Sequence, residues 1–212
     1  MDIRSLTRAA LVSAAVTALG AIPAAAQSVT FSTQGSFTGT GCTTGDGGHC
    51  AFGGFTLAYT DAGSVTYTAP TDVDLGAFTT KCLVLCSSTT IASDVMFTLT
   101  IFQTNPTTGQ TAFAGSITGA LAVTPGVASS LTWTPTTFIS AIDGVTYALI
   151  TDQGAGVSGK IVIVAPTNTD NGINSTTVKA HITAVPEPAS VALMATGLVG
   201  LIPVARRRRR NN

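Results

Sequence analysis

The residues best equipped for chemistry are four cysteines, two histidines and one close pair of carboxylates. Cys42 and Cys50 flank a glycine-rich loop, and Cys82 and Cys86 flank Leu83-Val84-Leu85. Such a set can oxidise to disulfides, or can join His49 in a mixed Cys and His metal centre. The spacing fits no compact zinc motif, so two disulfides are the expectation, with no metal and no cofactor. Three pairings are open for four cysteines. Cys42 reaches Cys50 easily, because Gly45, Gly47 and Gly48 let the loop fold back. Cys82 and Cys86 face a stricter condition. Four residues apart in a strand their Cα atoms lie roughly 13 Å apart, beyond the ~7 Å that a bridge permits. Either the chain turns there, or the bridges cross between the two pairs.

Catalytic constellations find little material, and the expectation is that the protein is not an enzyme. His49 sits in the cysteine loop, and His181 reads as a half-exposed strand position. No serine has glycine at both −2 and +2, so the nucleophile-elbow pattern is absent. Asp72 and Asp74 are the one carboxylate pair at strand spacing. They would serve glycoside hydrolysis only with a partner across a cleft, and a turn or edge role is expected instead. Asp72, Asp74, Asn168, Asp170 and Asn171 have calcium-type oxygens, yet no EF-hand or glycine-aspartate repeat organises them. The pairs Thr66/Thr68, Thr98/Thr100 and Thr132/Thr134 set hydroxyls on one face of a strand, the kind of array that ice binding uses. With no repeat to align them, outward threonine on an ordinary sheet is the simpler expectation. Asn174-Ser175-Thr176 is a glycosylation sequon by pattern.

The elements that carry these residues read as β throughout. Between Gln27 and Ala184 the chain is rich in Thr, Val, Ile and Phe, and nearly free of the residues that fill surface helices. Alternation is clearest over Asp94–Gln103, where Val95, Phe97, Leu99 and Ile101 alternate with Met96, Thr98, Thr100 and Phe102. Further strands are expected over Val29–Phe37, Phe55–Thr60, Ser64–Thr68, Ala112–Val123, Ser130–Thr134, Val145–Thr151, Lys160–Ala165 and Thr176–Thr183. Turn chemistry separates them at Asn105-Pro106-Thr107-Thr108-Gly109, Thr124-Pro125-Gly126, Ile142-Asp143-Gly144 and Asp170-Asn171-Gly172. The spacing predicts a single antiparallel domain, a β-sandwich or jelly roll with meander connections. Its predicted core holds Phe55, Leu57, Val95, Phe97, Leu99, Ile101, Trp133, Tyr147, Leu149, Ile161 and Ile163.

The two ends read as addresses. Arg4 and Arg8, an apolar run from Ala9 to Ala21 and the small residues Ala24-Ala25-Ala26 compose a cleavable secretory signal peptide over residues 1–26. At the other end, Val185-Pro186-Glu187-Pro188 precedes an uncharged apolar segment, Ala189–Ala205, and then Arg206, Arg207, Arg208, Arg209 and Arg210. A helix over 189–205 would be roughly 25 Å long, near the lower limit for crossing a membrane. The arginines act as a membrane stop and keep that end cytoplasmic, which leaves the body outside. An exported thiol set is expected to oxidise. Without both signals the body, residues 27–184, keeps Lys81, Lys160 and Lys179 against eight aspartates, a net charge of about −5. That balance excludes nucleic acid, whose phosphates demand clustered lysine and arginine. It suits neutral polysaccharide.

The order Val-Pro-Glu-Pro, apolar span, arginine cluster resembles the PEP-CTERM sorting signal of Gram-negative bacteria that make extracellular polysaccharide. The resemblance covers about residues 185–210, an element also labelled an ice-binding-protein C-terminal domain. It implies processing by exosortase, a membrane cysteine protease, after a transient stay in the inner membrane. The chain is then expected to be a cell-surface or extracellular-matrix protein with a structural or adhesive role in exopolysaccharide or biofilm. The alternative is a secreted carbohydrate-binding module or weak glycoside hydrolase, which exposed aromatic rings would favour. Trp133, Tyr59, Tyr67 and Tyr147 are the rings available besides phenylalanine.

Overall fold

Alternation of apolar and hydroxyl side chains commits nearly every segment of the body to a strand with one dry face and one wet face. The computed structural model describes residues 26–43, 48–123, 130–168 and 170–184, and among these it contains strands and no helix. Residues 1–25 of the predicted signal peptide, the predicted membrane helix 189–205, Val185 to Pro188 and Arg206 to Arg210 lie outside the described residues, as does the turn Thr124-Pro125-Gly126. Residues Gln27–Ala184 form one compact unit.

Fourteen strands follow in chain order: β1 (Gln27–Thr38), β2 (His49–Phe52), β3 (Phe55–Asp61), β4 (Val65–Ala69), β5 (Thr71–Cys82), β6 (Thr89–Thr90), β7 (Met96–Asn105), β8 (Gly109–Leu121), β9 (Ser130–Pro135), β10 (Ile139–Ile142), β11 (Val145–Thr151), β12 (Gly154–Ala155), β13 (Ile161–Val164) and β14 (Ile173–Ala184). They build two antiparallel sheets of seven. The first runs β13-β9-β8-β7-β1-β4 with β6 beside β8, and the second runs β10-β11-β14-β5-β3-β2 with β12 beside β11. The fold is therefore all-β, a two-sheet antiparallel sandwich. The connections are not those of the expected meander. Only β7-β8-β9 and the short hairpins follow one another in space. Elsewhere the chain changes sheets, and β14, the last strand, is inserted between β11 and β5.

Every residue predicted for the core is buried. Aromatic rings bridge the two sheets. Phe78 of β5 packs edge-on against Phe97 of β7 (centroids 4.6 Å) and Trp133 of β9 (5.4 Å), and Tyr59 of β3 lies 4.8 Å from Phe97. Such contacts add to the burial of apolar area that drives sheet-on-sheet packing. Two inward glycines make room for them. A Cβ on Gly35 would lie 2.3 Å from the Tyr59 ring, and one on Gly115 would lie 2.2 Å from Trp133 Nε1.

Two hairpins carry the chemistry of tight turns, with both central residues at positive φ: Gly53-Gly54 between β2 and β3, and Asp143-Gly144 between β10 and β11. β5 is the large departure from expectation. Asp72 and Asp74 stand in the first half of this 12-residue strand, where β14 pairs on one side while β3 pairs only with Gly76 to Cys82, so among the described residues the aspartates occupy a local edge rather than a turn. A bulge at Leu75–Gly76 explains why its period was hidden. Val178 pairs with Gly76 while Lys179 pairs with Asp74, so the inward set shifts from Val73 and Leu75 to Phe78, Thr80 and Cys82.

Candidate functional site

The four cysteines form two local bridges, Cys42–Cys50 and Cys82–Cys86. Of the pairings left open by the sequence, the uncrossed one is realised. Cys42 forms an isolated bridge to Cys50 at the start of the β2–β3 hairpin, with Cα atoms 3.9 Å apart. His49 belongs to this turn through Thr43: its N–H donates to Thr43 Oγ1 (3.2 Å), and its carbonyl accepts from the Thr43 N–H (2.9 Å). At the other pair the chain turns as the geometry requires. β5 ends at Cys82, Leu85 adopts φ +43°, and the Cα atoms of Cys82 and Cys86 close to 5.9 Å. Leu83, Val84 and Leu85 are thereby held on the surface, Leu85 at 83% exposure. With the sulfurs bonded to each other, no thiolate remains to ligate zinc.

The outer face of the second sheet holds the charged strand residues. Lys179 stands opposite Asp74 and His181 opposite Asp72 in the β14–β5 register. His181 Nδ1 lies 2.6 Å from Asp72 Oδ1, and Lys179 Nζ lies 3.6 Å from Asp74 Oδ1. Each carboxylate of the sequence pair thus meets a basic group across the strand rather than a second acid across a cleft. The calcium-type oxygens are not brought together. Asp170 and Asn171 precede the far end of β14, roughly 30 Å along the strand from Asp72. Among the described residues no three or more His, Cys, Asp or Glu side chains converge.

The first sheet is different in kind. Not one residue of its seven strands is Asp, Glu, Lys, Arg or His. Its outward positions carry Ser28, Thr30, Ser32, Gln34 and Ser36 on β1, Thr98 and Thr100 on β7, and Ser116 and Thr118 on β8. Thr66 and Thr68 of β4 and Thr132 and Thr134 of β9 extend the array on either side. The three threonine pairs therefore lie on one face as outward threonine of an ordinary sheet. Neighbouring strands of a sheet rotate by roughly 20–25°, so the surface is twisted rather than planar. Thr30 and Thr66 bond each other across the strands, Oγ1 to Oγ1 at 2.9 Å.

Among the described residues no aromatic side chain is exposed. Trp133, Tyr59 and Tyr147 are buried, and Tyr67, Phe102 and Phe138 are half-buried. The rings counted as a possible platform for stacking on sugars serve the core instead. Tyr59 and Tyr147 turn their hydroxyls inward, Tyr59 donating to the Leu75 carbonyl (2.7 Å) and Tyr147 to Gln103 Oε1 (2.8 Å). Burial pushes both phenols well above their ordinary range, and the nearby Asp61 carboxylate adds to the effect at Tyr59. Sequence reasoning named the threonine pairs and missed the asymmetry between the sheets, since it appears only once each strand is assigned to its sheet.

Residues 184–210 match the PEP-CTERM protein-sorting motif, which makes the chain an exosortase-sorted, exported protein that passes through the membrane on its way to the cell surface. No curated protein and no solved structure matches the chain.

Proposed function

We propose that the sandwich body is a non-catalytic structural or adhesive component of the extracellular matrix, and that it contacts neutral polysaccharide through the outer face of its first sheet. The observation that carries this reading is the uncharged hydroxyl surface spanning β4, β1, β7, β8 and β9. A charged face loses hydration when it docks on an uncharged sugar polymer, and has no counter-charge to offset the loss. Serine, threonine and glutamine exchange bonds to water for bonds to sugar hydroxyls at little net cost. Each contact is weak, so retention depends on repetition along a polymer. The sorting motif supports the reading by delivering the body to the compartment where such polymers lie. A hydrolytic role has less support, because Asp72 and Asp74 are each engaged by a basic partner on an open sheet face.

Deleting the gene in the exporting host tests the role. Weaker matrix cohesion, restored by the wild-type chain, is the expected outcome. Unchanged cohesion, surface retention and flocculation would overturn it.

A further inference from the structure

The connection between β11 and β13, residues 152–160, is tied at its base by its own backbone. The Asp152 N–H donates to the Lys160 carbonyl (3.1 Å), and the Lys160 N–H donates to Asp152 Oδ1 (2.8 Å). Inside the loop the buried Thr151 hydroxyl lies 3.1 Å from the carbonyls of both Gly154 and Val157 and accepts from the Gln153 N–H (3.2 Å). A Cβ on Gly159 would lie 2.5 Å from both Asp152 Oδ1 and Thr151 Oγ1, so the returning chain closes only on glycine. β12 pairs back on β11, with Ala155 opposite Ile150. The loop is therefore set before any ligand arrives.

Its outer side borders an open groove of about 380 Å³, between Thr134 and Phe138 on one wall and Asp152, Gln153, Ser158 and Lys160 on the other. The volume lies at the low end of the roughly 300–1,000 Å³ of small-molecule sites. Phe138 supplies one half-buried ring. Apart from the Asp152 Oδ1 contact, the polar side-chain atoms of the groove bond no other described residue.

We propose that this groove is a binding subsite for one or two pyranose units of an uncharged saccharide. A sugar offers a C–H face to an aromatic ring and alternating donors and acceptors at its rim. The groove answers with one ring, a carboxylate oxygen, an amide, two hydroxyls and an ammonium. Its one acid and one base balance, whereas a phosphate or nucleotide demands clustered cations. Openness to solvent lets a polymer pass through without its ends being threaded. The proposal rests on the matrix reading only for the source of its ligand.

The test uses the isotope-labelled protein purified from the surface of its exporting host, titrated with cellotetraose, maltotetraose and chitotetraose and followed by NMR. At least one of the three should give saturable shifts confined to residues 134–138 and 152–160, with a millimolar dissociation constant. Gln153→Ala should weaken that binding at least tenfold at an unchanged melting temperature, and Phe138→Leu should do the same. No saturable shift at these residues with any of the three sugars would overturn the subsite, as would wild-type affinity in Gln153→Ala. The cohesion assay reads the broader role separately. Saccharide binding by a protein whose gene is dispensable for cohesion sustains the subsite and removes the matrix role; no groove shift in a protein whose gene is required removes the subsite alone.

Discussion

Tyr147 and Gln103 tie the two sheets together at a place where the core is otherwise dry. Gln103 takes the inward position that continues the alternation of Val95, Phe97, Leu99 and Ile101, and its Nε2 donates to the Thr107 carbonyl (3.1 Å) while its Oε1 accepts from Tyr147. In Tyr147→Phe that acceptor stays buried and unpaired, so urea unfolding should show a loss of about 1–3 kcal/mol. Adding Gln103→Leu should recover part of it, and a double-mutant cycle measures the coupling. The alternation announces that Gln103 points inward; its partner, 44 residues on, is not legible in the sequence because it depends on which strands face each other. At the surface, Asp94 Oδ2 accepts from both the hydroxyl and the N–H of Thr40 (2.8 and 2.9 Å), bonds that hold its carboxyl below the usual range. A folded-state pKa below the unfolded one gives stability that is present above the unfolded value of about 3.9 and lost as the pH falls through the folded one. Asp94→Asn should therefore lower stability at neutral pH, flatten the acid limb below about pH 4, and leave acid unfolding otherwise intact, as followed by circular dichroism. Burial of the two phenols acts with the opposite sign. Their contribution is complete below about pH 10 and fades as the pH rises toward their folded values.

Nine of the fourteen strands are legible from alternation and turn residues, and the reasons for the others differ. β2 is four residues long, although the Gly53-Gly54 pair beside it is a hairpin signal that marks the β2–β3 turn in retrospect. β10 shows only Ile142 buried, so its pattern has nothing to alternate with. β5 is hidden by its aspartates, which are depleted in strands, and by the bulge that reverses its inward parity after Leu75. That bulge depends on Gly76, at φ +131°, where a Cβ would lie 2.5 Å from the Thr60 carbonyl oxygen and 2.4 Å from Tyr59 Oη. The neighbouring Leu75 carbonyl accepts from both Tyr59 Oη (2.7 Å) and Thr33 Oγ1 (2.6 Å), so straightening the bulge would strand two buried donors. Gly76→Ala should cost more than about 1 kcal/mol, since the backbone is one that alanine resists. A substitution at Gly63, which has open space around it, is the control, and thermal melting compares the two.

At the scale of the whole body, charge is partitioned by sheet, with every charged strand residue on the second sheet and none on the first. Alternation in the sequence shows which residues face outward, but not that Ser36, Thr98 and Thr134 share a surface while Asp72, Lys179 and His181 share the opposite one. Sheet membership carries that information, and it follows from seven changes of sheet that no local pattern encodes. The partition makes a measurable demand on how the exported protein is retained by isolated matrix polysaccharide. Screening length falls from ~30 Å at about 0.01 M salt to ~3 Å at about 1 M, so attachment through charged groups weakens steeply across that range. Attachment through the neutral face should change little. Placing unpaired charges in the middle of that face by Thr98→Glu and Thr100→Glu should reduce co-sedimentation at least about tenfold, because each carboxylate loses its hydration on docking with nothing to replace it. Removing charge from the opposite face by Asp74→Asn and Lys179→Gln, a pair that is exposed and 3.6 Å apart, should leave co-sedimentation unchanged. Retention that collapses in high salt, or that survives the glutamates and is lost with the second pair, would assign the contact to the charged sheet instead.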